Sequence, residues 1–379
     1  MGAIREVMEA AVNEAGGDMQ KANVIVADKF GKLIDEGKIT FADVSIRELF
    51  EATANYNGDV DLARVTAVSE AISSSAFPYI TEKLIYKEML AAHDIAMMGL
   101  DRIVPTIQMS NEKEDIAGLS AIDTLTEVIE GQPYEEGGVS EYYVQVKAKK
   151  FGRIISLTRE MVLFDKTGEV VRRAKRIGEN AGQWKHRFIV EALTDQAINA
   201  TGESANYGLL WNGSGGNAIY ANDHSSYFDG QTNDNLVSGA LTFDNFASAR
   251  ALLRRMKNSV GDYVFVNPRH LVVPPELEAS ALILMQSTQK AGSANNDVNV
   301  FKGSADVIVS PYLADSNDWF LGDVSRQIVW GRVWDLEVVA QRRGSDADFE
   351  RDVVQRYRAS IFGGARCVDY RYVVKGSSD

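Results

Sequence analysis

The chain has 379 residues, room for two or three domains at the ~100–200 residues usual for each. Hydrophobic residues make up 45% and charged residues 25%, ordinary globular values that argue against a disordered or fibrous chain. A net charge of −13 argues against a general nucleic-acid binder, which needs a basic footprint to displace counterions from phosphates. Apolar runs such as Val264-Phe265-Val266 and Ile283-Leu284-Met285 fall far short of the ~20 residues of a membrane span. No apolar h-region follows the first residues, so no secretory signal is expected, and the Gly2 start of a myristoylation pattern reads as chance. Cys367 is the only cysteine, which excludes an internal disulfide and fits a reducing origin. The four histidines, at 93, 186, 224 and 270, have no zinc-site spacing.

Residues 1–64 read as mixed helix and loop, with breaks at Gly16-Gly17, Gly31 and Gly37. Ser45 and Glu48 have the spacing of a capping box, which predicts a short helix after Ser45. A helical stretch follows over 67–98, broken near Pro78, with Ile80, Leu84, Ile85, Leu90 and Ile95 on its apolar side. From 123 to 158 the period changes to two. Tyr142, Val144, Val146 and Ala148 alternate with Tyr143, Gln145, Lys147 and Lys149, which predicts a strand with one apolar and one wet face. Thr124–Ile129 is its expected partner strand, across a turn-rich segment at 130–138. Such a hairpin is too thin to bury a core and needs something else to pack on, a neighbouring subunit being the natural candidate.

Residues 168–199 predict the clearest helix, with Val170, Ala174, Ile177, Ala181, Trp184, Phe188 and Ala192 in one stripe. Beside the stripe, Arg172, Arg173, Lys175 and Arg176 read first as a solvated face and second as a face turned toward DNA. A helix over 243–257, a buried-type strand at Tyr263–Val266 and a helix begun at Pro275 follow. Strands are then expected at 307–309, 319–321, 327–330, 336–340 and 353–362.

Catalytic motifs do not survive inspection. Asn212-Gly213-Ser214-Gly215-Gly216 lacks the Lys-Ser/Thr of a phosphate loop, and no G-x-S-x-G elbow is present. Asp223-His224-Ser225-Ser226 sets acid, base and hydroxyl side by side, but neighbours in a loop rarely share triad geometry, so a hydrogen-bonded turn is expected there. Asp315-Ser316-Asn317-Asp318 begins like a calcium loop, yet Trp319 and Phe320 stand where a ligand and a glycine are needed. No catalytic residue, cofactor or metal site is expected.

An ordered series of segments resembles the major capsid proteins of tailed bacteriophages, in the branch that includes Mu-like head subunits. It begins at Ala71-Ile72-Ser73-Ser74-Ser75-Ala76-Phe77-Pro78 and continues through Lys150-Phe151-Gly152-Arg153-Ile154-Ile155-Ser156-Leu157-Thr158 and the helix at 168–199. Asn222-Asp223-His224, Leu271-Val272-Val273-Pro274-Pro275-Glu276, Ser310-Pro311-Tyr312-Leu313 and Phe362-Gly363-Gly364-Ala365-Arg366-Cys367 complete it. Order and spacing, more than any one motif, carry the resemblance over 70–379.

The resemblance implies an α+β, Hong Kong 97-like capsid fold with an N-terminal arm, an E-loop hairpin, a P domain with a long spine helix, and an A domain. The implied boundaries are a helical segment at 1–64, the arm at 65–120 and the E-loop at 121–160. The P domain would take 161–215 and 323–365, and the A domain 216–322 and 366–379. It further implies a non-enzymatic protein that self-assembles into hexamers and pentamers of an icosahedral shell around double-stranded DNA. Glu130, Gln132, Tyr134, Glu135, Glu136, Tyr142, Lys147 and Lys149 would form the part of the E-loop that contacts a neighbouring copy, and Arg172, Arg173, Lys175 and Arg176 a lumen-facing strip.

Implied partners are other copies, a portal, and scaffold, prohead protease or decoration proteins, with weak and non-specific contact to packaged DNA and no membrane. The place would be the virion, after assembly in the host bacterial cytoplasm. Some relatives crosslink an E-loop lysine to a neighbour's asparagine; Lys147, Lys149 and Lys150 lie on the return strand, and nothing in the sequence marks a partner. Relatives also often carry a scaffolding segment that a protease removes, which leaves the fate of 1–64 open. The rival readings are an encapsulin-type shell with protein cargo and a soluble hydrolase using His224.

Overall fold

The computed structural model describes residues 2–58, 60–96, 99–119, 141–195, 219–222, 224–225, 232–258, 261–290, 297–341 and 352–378. In chain order these form α1 (Gly2–Glu14), α2 (Met19–Asp35), α3 (Ile46–Thr53), α4 (Val65–Ser74), α5 (Phe77–Ala96), α6 (Leu100–Ile103), β1 (Thr106–Gln108), β2 (Lys113–Leu119), β3 (Glu141–Lys147) and β4 (Lys149–Thr158). Next come α7 (Arg159–Leu163), α8 (Thr167–Thr194), β5 (His224–Ser225), β6 (Thr232–Asn233), β7 (Leu236–Ser238), α9 (Phe243–Arg254), β8 (His270–Val273) and α10 (Glu278–Gln286). The last are β9 (Asp306–Val309), β10 (Trp319–Gly322), α11 (Val324–Gln327), β11 (Ile328–Ala340), β12 (Val353–Cys367) and β13 (Val373–Ser377). No helix among the described residues is long and apolar enough to cross a membrane. The architecture is α+β, as expected, in two compact units.

The first unit comprises Met1–Ala96, Lys150–Gln183 and Trp334–Phe362. Its N-terminal helices begin and end where local chemistry says they should. The Asp18 side chain accepts the N–H groups of Gln20 and Lys21 at the start of α2. Ser45 and Glu48 form the reciprocal capping box at α3, satisfying two otherwise orphaned donors. Gly17 and Gly37, at φ 82° and 77°, take the left-handed turns that follow α1 and α2. Gly31, by contrast, breaks nothing. It lies inside α2, because burial of Ala22, Val26, Phe30 and Ile34 outweighs the ~1 kcal/mol helix penalty of a glycine.

The break between α4 and α5 falls at Ser75-Ala76, where the Ser75 hydroxyl accepts the Phe77 N–H at 3.2 Å. Pro78 sits in the first turn of α5, where its missing donor is not needed. Ile80, Leu84 and Ile85 are buried as expected; Leu90 is only half-buried and Ile95 is 85% exposed. The stripe runs instead through Met89, which lies four residues beyond Ile85.

Met89 meets α8 at a place where only glycine fits. A Cβ on Gly178 would collide with the Met89 carbonyl, and one on Gly182 would lie 2.8 Å from the His93 carbonyl oxygen. Ala174 and Ala181 are buried on the same helix, so small residues let the two helix backbones approach. Within this unit the strands are ordered β11-β12-β4. The two strands expected at 327–330 and 336–340 are one continuous strand, β11.

The second unit comprises Met97–Lys149, Trp184–Val333 and Gly363–Asp379. Its centre is a five-stranded sheet ordered β7-β13-β10-β8-β9. The pairs β10–β13 and β10–β8 are antiparallel, and β13–β7 and β8–β9 are parallel. Every residue of β8 and β10 is buried, which explains their unbroken apolar runs. Phe246 and Leu253 of α9 and Met285 of α10 share one core with Trp319 and Leu321. Here the sequence misled at Tyr263–Val266, which forms no strand among the described residues beyond a single bridge between Tyr263 and Lys257. Val266 alone is buried, while Phe265 is 84% exposed, so the segment lacks the burial its composition suggested.

The glycine contact gives a direct test. Gly178→Ala should lower stability by about 1–3 kcal/mol through overpacking, although alanine is the better helix former. Thermal unfolding checks this, and an equal or higher midpoint would show that the α5–α8 approach is not tight.

Candidate assembly surfaces

The described part of the hairpin expected to reach a neighbour is β3 and the strand it pairs with. β3 pairs antiparallel with β2, in register from Lys113↔Lys147 to Leu119↔Glu141. Among the described residues the strand paired with β3 is Lys113–Leu119; the expected partner at Thr124–Ile129 lies outside them. Glu130, Gln132, Tyr134, Glu135 and Glu136 lie outside them too. The alternation itself holds: Val144, Val146 and Ala148 are buried, while Lys147 is exposed and Gln145 half-buried. Gln145 donates to Asp115 Oδ1 across the pair at 3.0 Å. Tyr142 stands opposite Gly118 in the register, and Lys149 opens β4, half-buried.

Arg172, Arg173, Lys175 and Arg176 are all exposed on α8, as the strip requires. They are not equivalent. Arg173 pairs with Glu169 one turn back, and Lys175 lies 3.4 Å from Glu88 of α5. Arg172 and Arg176 stand four residues apart on one face, where like charges repel mildly. Exposed pairs contribute only ~0–1 kcal/mol each, so the strip matters more as surface charge than as a stabiliser.

A constellation that the sequence did not suggest lies inside the second unit. His186 Nε2 is 3.0 Å from Ser310 Oγ, and His186 Nδ1 is 3.4 Å from Asp101 Oδ2. Acid, base and hydroxyl are thus in a triad-like order, drawn from α6, α8 and the turn after β9. All three are buried, with His186 and Ser310 fully closed to solvent, so no substrate carbonyl can reach the hydroxyl. Buried polar groups cost stability unless partnered, and these partner one another. No spacing signal could have found them, since 85 and 124 residues separate His186 from its partners.

His224, singled out from the sequence, is structural. Its Nε2 lies 3.0 Å from the Ile219 carbonyl and its ring stacks on Tyr370 at 4.1 Å. The calcium-like loop is also committed elsewhere: Asp315 accepts the Asn317 N–H at 2.8 Å, and buried Asp318 pairs with Lys375 at 2.7 Å. Among the described residues no group of three His, Cys, Asp or Glu side chains could hold a metal. Cys367 is buried, and burial pushes its thiol well above the usual range, which suits an inert side chain.

Against this geometry, a family model described as phage capsid protein matches residues 141–376. The chain belongs to that family. It is a structural protein of a bacteriophage capsid, a shell component of the virion and not an enzyme. No curated protein matches it at a significant level. Among solved structures it is similar to "Gordonia phage Cozz", with 11% identity, a TM-score of 0.47, and 74% of this chain and 86% of that chain covered. A second, "Mycobacterium phage Bobi", has 13% identity and a TM-score of 0.46, covering 75% of this chain and 91% of that one. A third, "Crystal structure of virus-like particle from Pyrococcus furiosus", has 11% identity and a TM-score of 0.43, covering 78% and 99%. The assignment rests on the family match.

One carboxylate of the second unit has a testable pH signature. Burial raises the Asp195 carboxyl from its usual 3.8, against the lowering effects of the Ile219 N–H that it accepts at 3.0 Å and of Arg366. A raised carboxyl binds its proton more readily when folded than when unfolded. It therefore favours folding below about pH 4 and loses that contribution as pH rises through the folded value. Asp195→Asn keeps an acceptor for Ile219 and tolerates the positive φ of 57°. The variant should melt higher than the parent at pH 7, with the gap closing toward pH 4. A deficit that does not change with pH would contradict this.

Proposed function

We propose that copies of this chain form hexamers and pentamers that tile an icosahedral shell around packaged double-stranded DNA. Family membership supports the shell, and the β2–β3 hairpin is the observation that carries the finer reading. The apolar face of β3, with Val144 and Val146, is already buried within the chain, so in this reading it is the long turn-rich connection after β2 that finds its support on a neighbouring copy. In this reading the connection holds Glu130, Gln132, Tyr134, Glu135 and Glu136 against the next copy, with Tyr142, Lys147 and Lys149 on the return side.

Residues 65–120 act as the N-terminal arm and 121–160 as the E-loop. The P domain takes 161–215 and 323–365, and the A domain 216–322 and 366–379. Contacts of this type are heterologous, one patch meeting a different patch, and close into rings by rotation. Portal, scaffold, prohead protease and decoration proteins are the further partners of such a shell, assembled in the cytoplasm of the bacterial host. Arg172, Arg173, Lys175 and Arg176 face the lumen and touch DNA weakly, with Arg172 and Arg176 carrying most of the charge.

Sedimentation of the full chain and of a variant lacking residues 130–138 tests the hairpin. The parent should run as capsomers or larger, and the variant should stay small while keeping its unfolding midpoint. Large assemblies from the deleted variant would remove the hairpin from the account. For the strip, Arg172→Glu with Arg176→Glu should reduce DNA retention and lower the salt slope of binding by about 2. An unchanged slope would return the strip to a plain solvated face.

A further inference from the structure

The fate of the N-terminal helices can be read from what they cover. Met8 of α1, Val26, Phe30 and Ile34 of α2, and Ile46 and Leu49 of α3 are all buried. They belong to one continuous core with Leu84 of α5, Leu157 of β4, Val170 of α8, Leu336 of β11 and Tyr357 of β12. This is the core of the first unit itself, not a separate small one.

Polar contacts fasten the same helices down. The Ile46 N–H at the start of α3 donates to the Thr167 hydroxyl at 2.8 Å, and that hydroxyl donates to Asp165 at 2.7 Å. An orphaned donor of one helix is thus satisfied by the first residue of another. Arg47 reaches the Leu163 carbonyl, Lys83 pairs with Asp35 at 2.8 Å, and Lys87 donates to the Ile34 carbonyl. Beyond the cap, Arg159 donates to the Ala63 carbonyl at 2.8 Å and so fixes the exit of the segment.

A segment meant to leave must uncover a surface that water tolerates. Loss of α1–α3 would instead take Met8, Val26, Phe30, Ile34, Ile46 and Leu49 out of the core they share with α5 and orphan the Thr167 contact, and contiguous apolar exposure of that kind promotes association. We infer that residues 2–58 are a permanent cap, a module that closes the first unit's apolar face within each chain and stays with the protein in the assembled shell. Retention in a shell rests on the capsid reading; the cap itself rests on the core and its hydrogen bonds.

Three measurements on the full-length protein decide it. Limited proteolysis between 55 and 64 should leave both fragments together on a native column and separate them only in denaturant; release of the N-terminal fragment under native conditions would overturn the cap. Because a truncated chain could fail for other reasons, Phe30→Ala in the intact chain is the second arm, read by hydrogen exchange. Faster exchange in 353–359 of β12 and 168–177 of α8 is expected, together with a lower melting point. Faster exchange confined to α1–α3 would make them an independent appendage and sink the inference. Third, chains from assembled particles should still yield the peptides of residues 2–58 in mass mapping. Particles built of chains lacking residues 1–64 would refute retention. Should no particles form, the shell reading fails, while the proteolysis and exchange arms still decide the cap.

Discussion

The backbone-to-backbone approach of α5 and α8 is the constraint from which the first unit follows. With no side chain at Gly178 and Gly182, the carbonyls of Met89 and His93 lie against the α8 backbone. That proximity fixes α5, and α5 in turn holds the N-terminal helices through Lys83 to Asp35 and Lys87 to Ile34. The apolar residues of α1–α3 then join one core with those of the strands and with Val170 and Ala174 of α8. A larger residue at either glycine would be felt throughout this arrangement, because close-packed interiors transmit strain. Glycine's cost inside a helix is small beside the packing it permits here.

The second unit is organised by a sheet whose central strands are dry on both faces. β8 and β10 bury every residue, so helices must cover them; α9 and α10 do so with Phe246, Leu253 and Met285. Some polar side chains buried in the same unit hold distant segments together. His186 lies between Asp101 and Ser310, and Asn235 donates to the carbonyls of Ile219 and Tyr370. Unpartnered, such groups would be costly; partnered, they fix one arrangement of otherwise distant segments. A triad-like order of residues thus serves packing and not chemistry, which agrees with membership in a capsid family.

Local rules made much of this legible in the sequence. The capping box at Ser45 and Glu48, the helix break near Pro78 and the period-two face of Val144, Val146 and Ala148 all depend on neighbours within a few residues, and all appear as expected. The long helix is in place too, as Thr167–Thr194. The misses have a common cause, which is competition from distant parts of the chain. Gly31 is overridden by burial around it. Tyr263–Val266 has a strand's composition, but the tertiary structure leaves Tyr263 and Phe265 exposed and outside the sheet. Lys113–Leu119 shows no alternation, so its pairing with β3 could not be seen in the sequence. The His186 cluster is wholly non-local. The family itself was legible because it lies in the order of many modest segments.

Taken together, a helical unit, a sheet-centred unit and a β hairpin make up the described parts of this capsid component. The central claim is that copies of this chain associate with one another into closed shells. Negative-stain microscopy of the purified, concentrated protein tests it most directly. Closed hollow particles or ring-shaped capsomers are expected, and a population that stays as single 41.7 kDa chains at every concentration would contradict it.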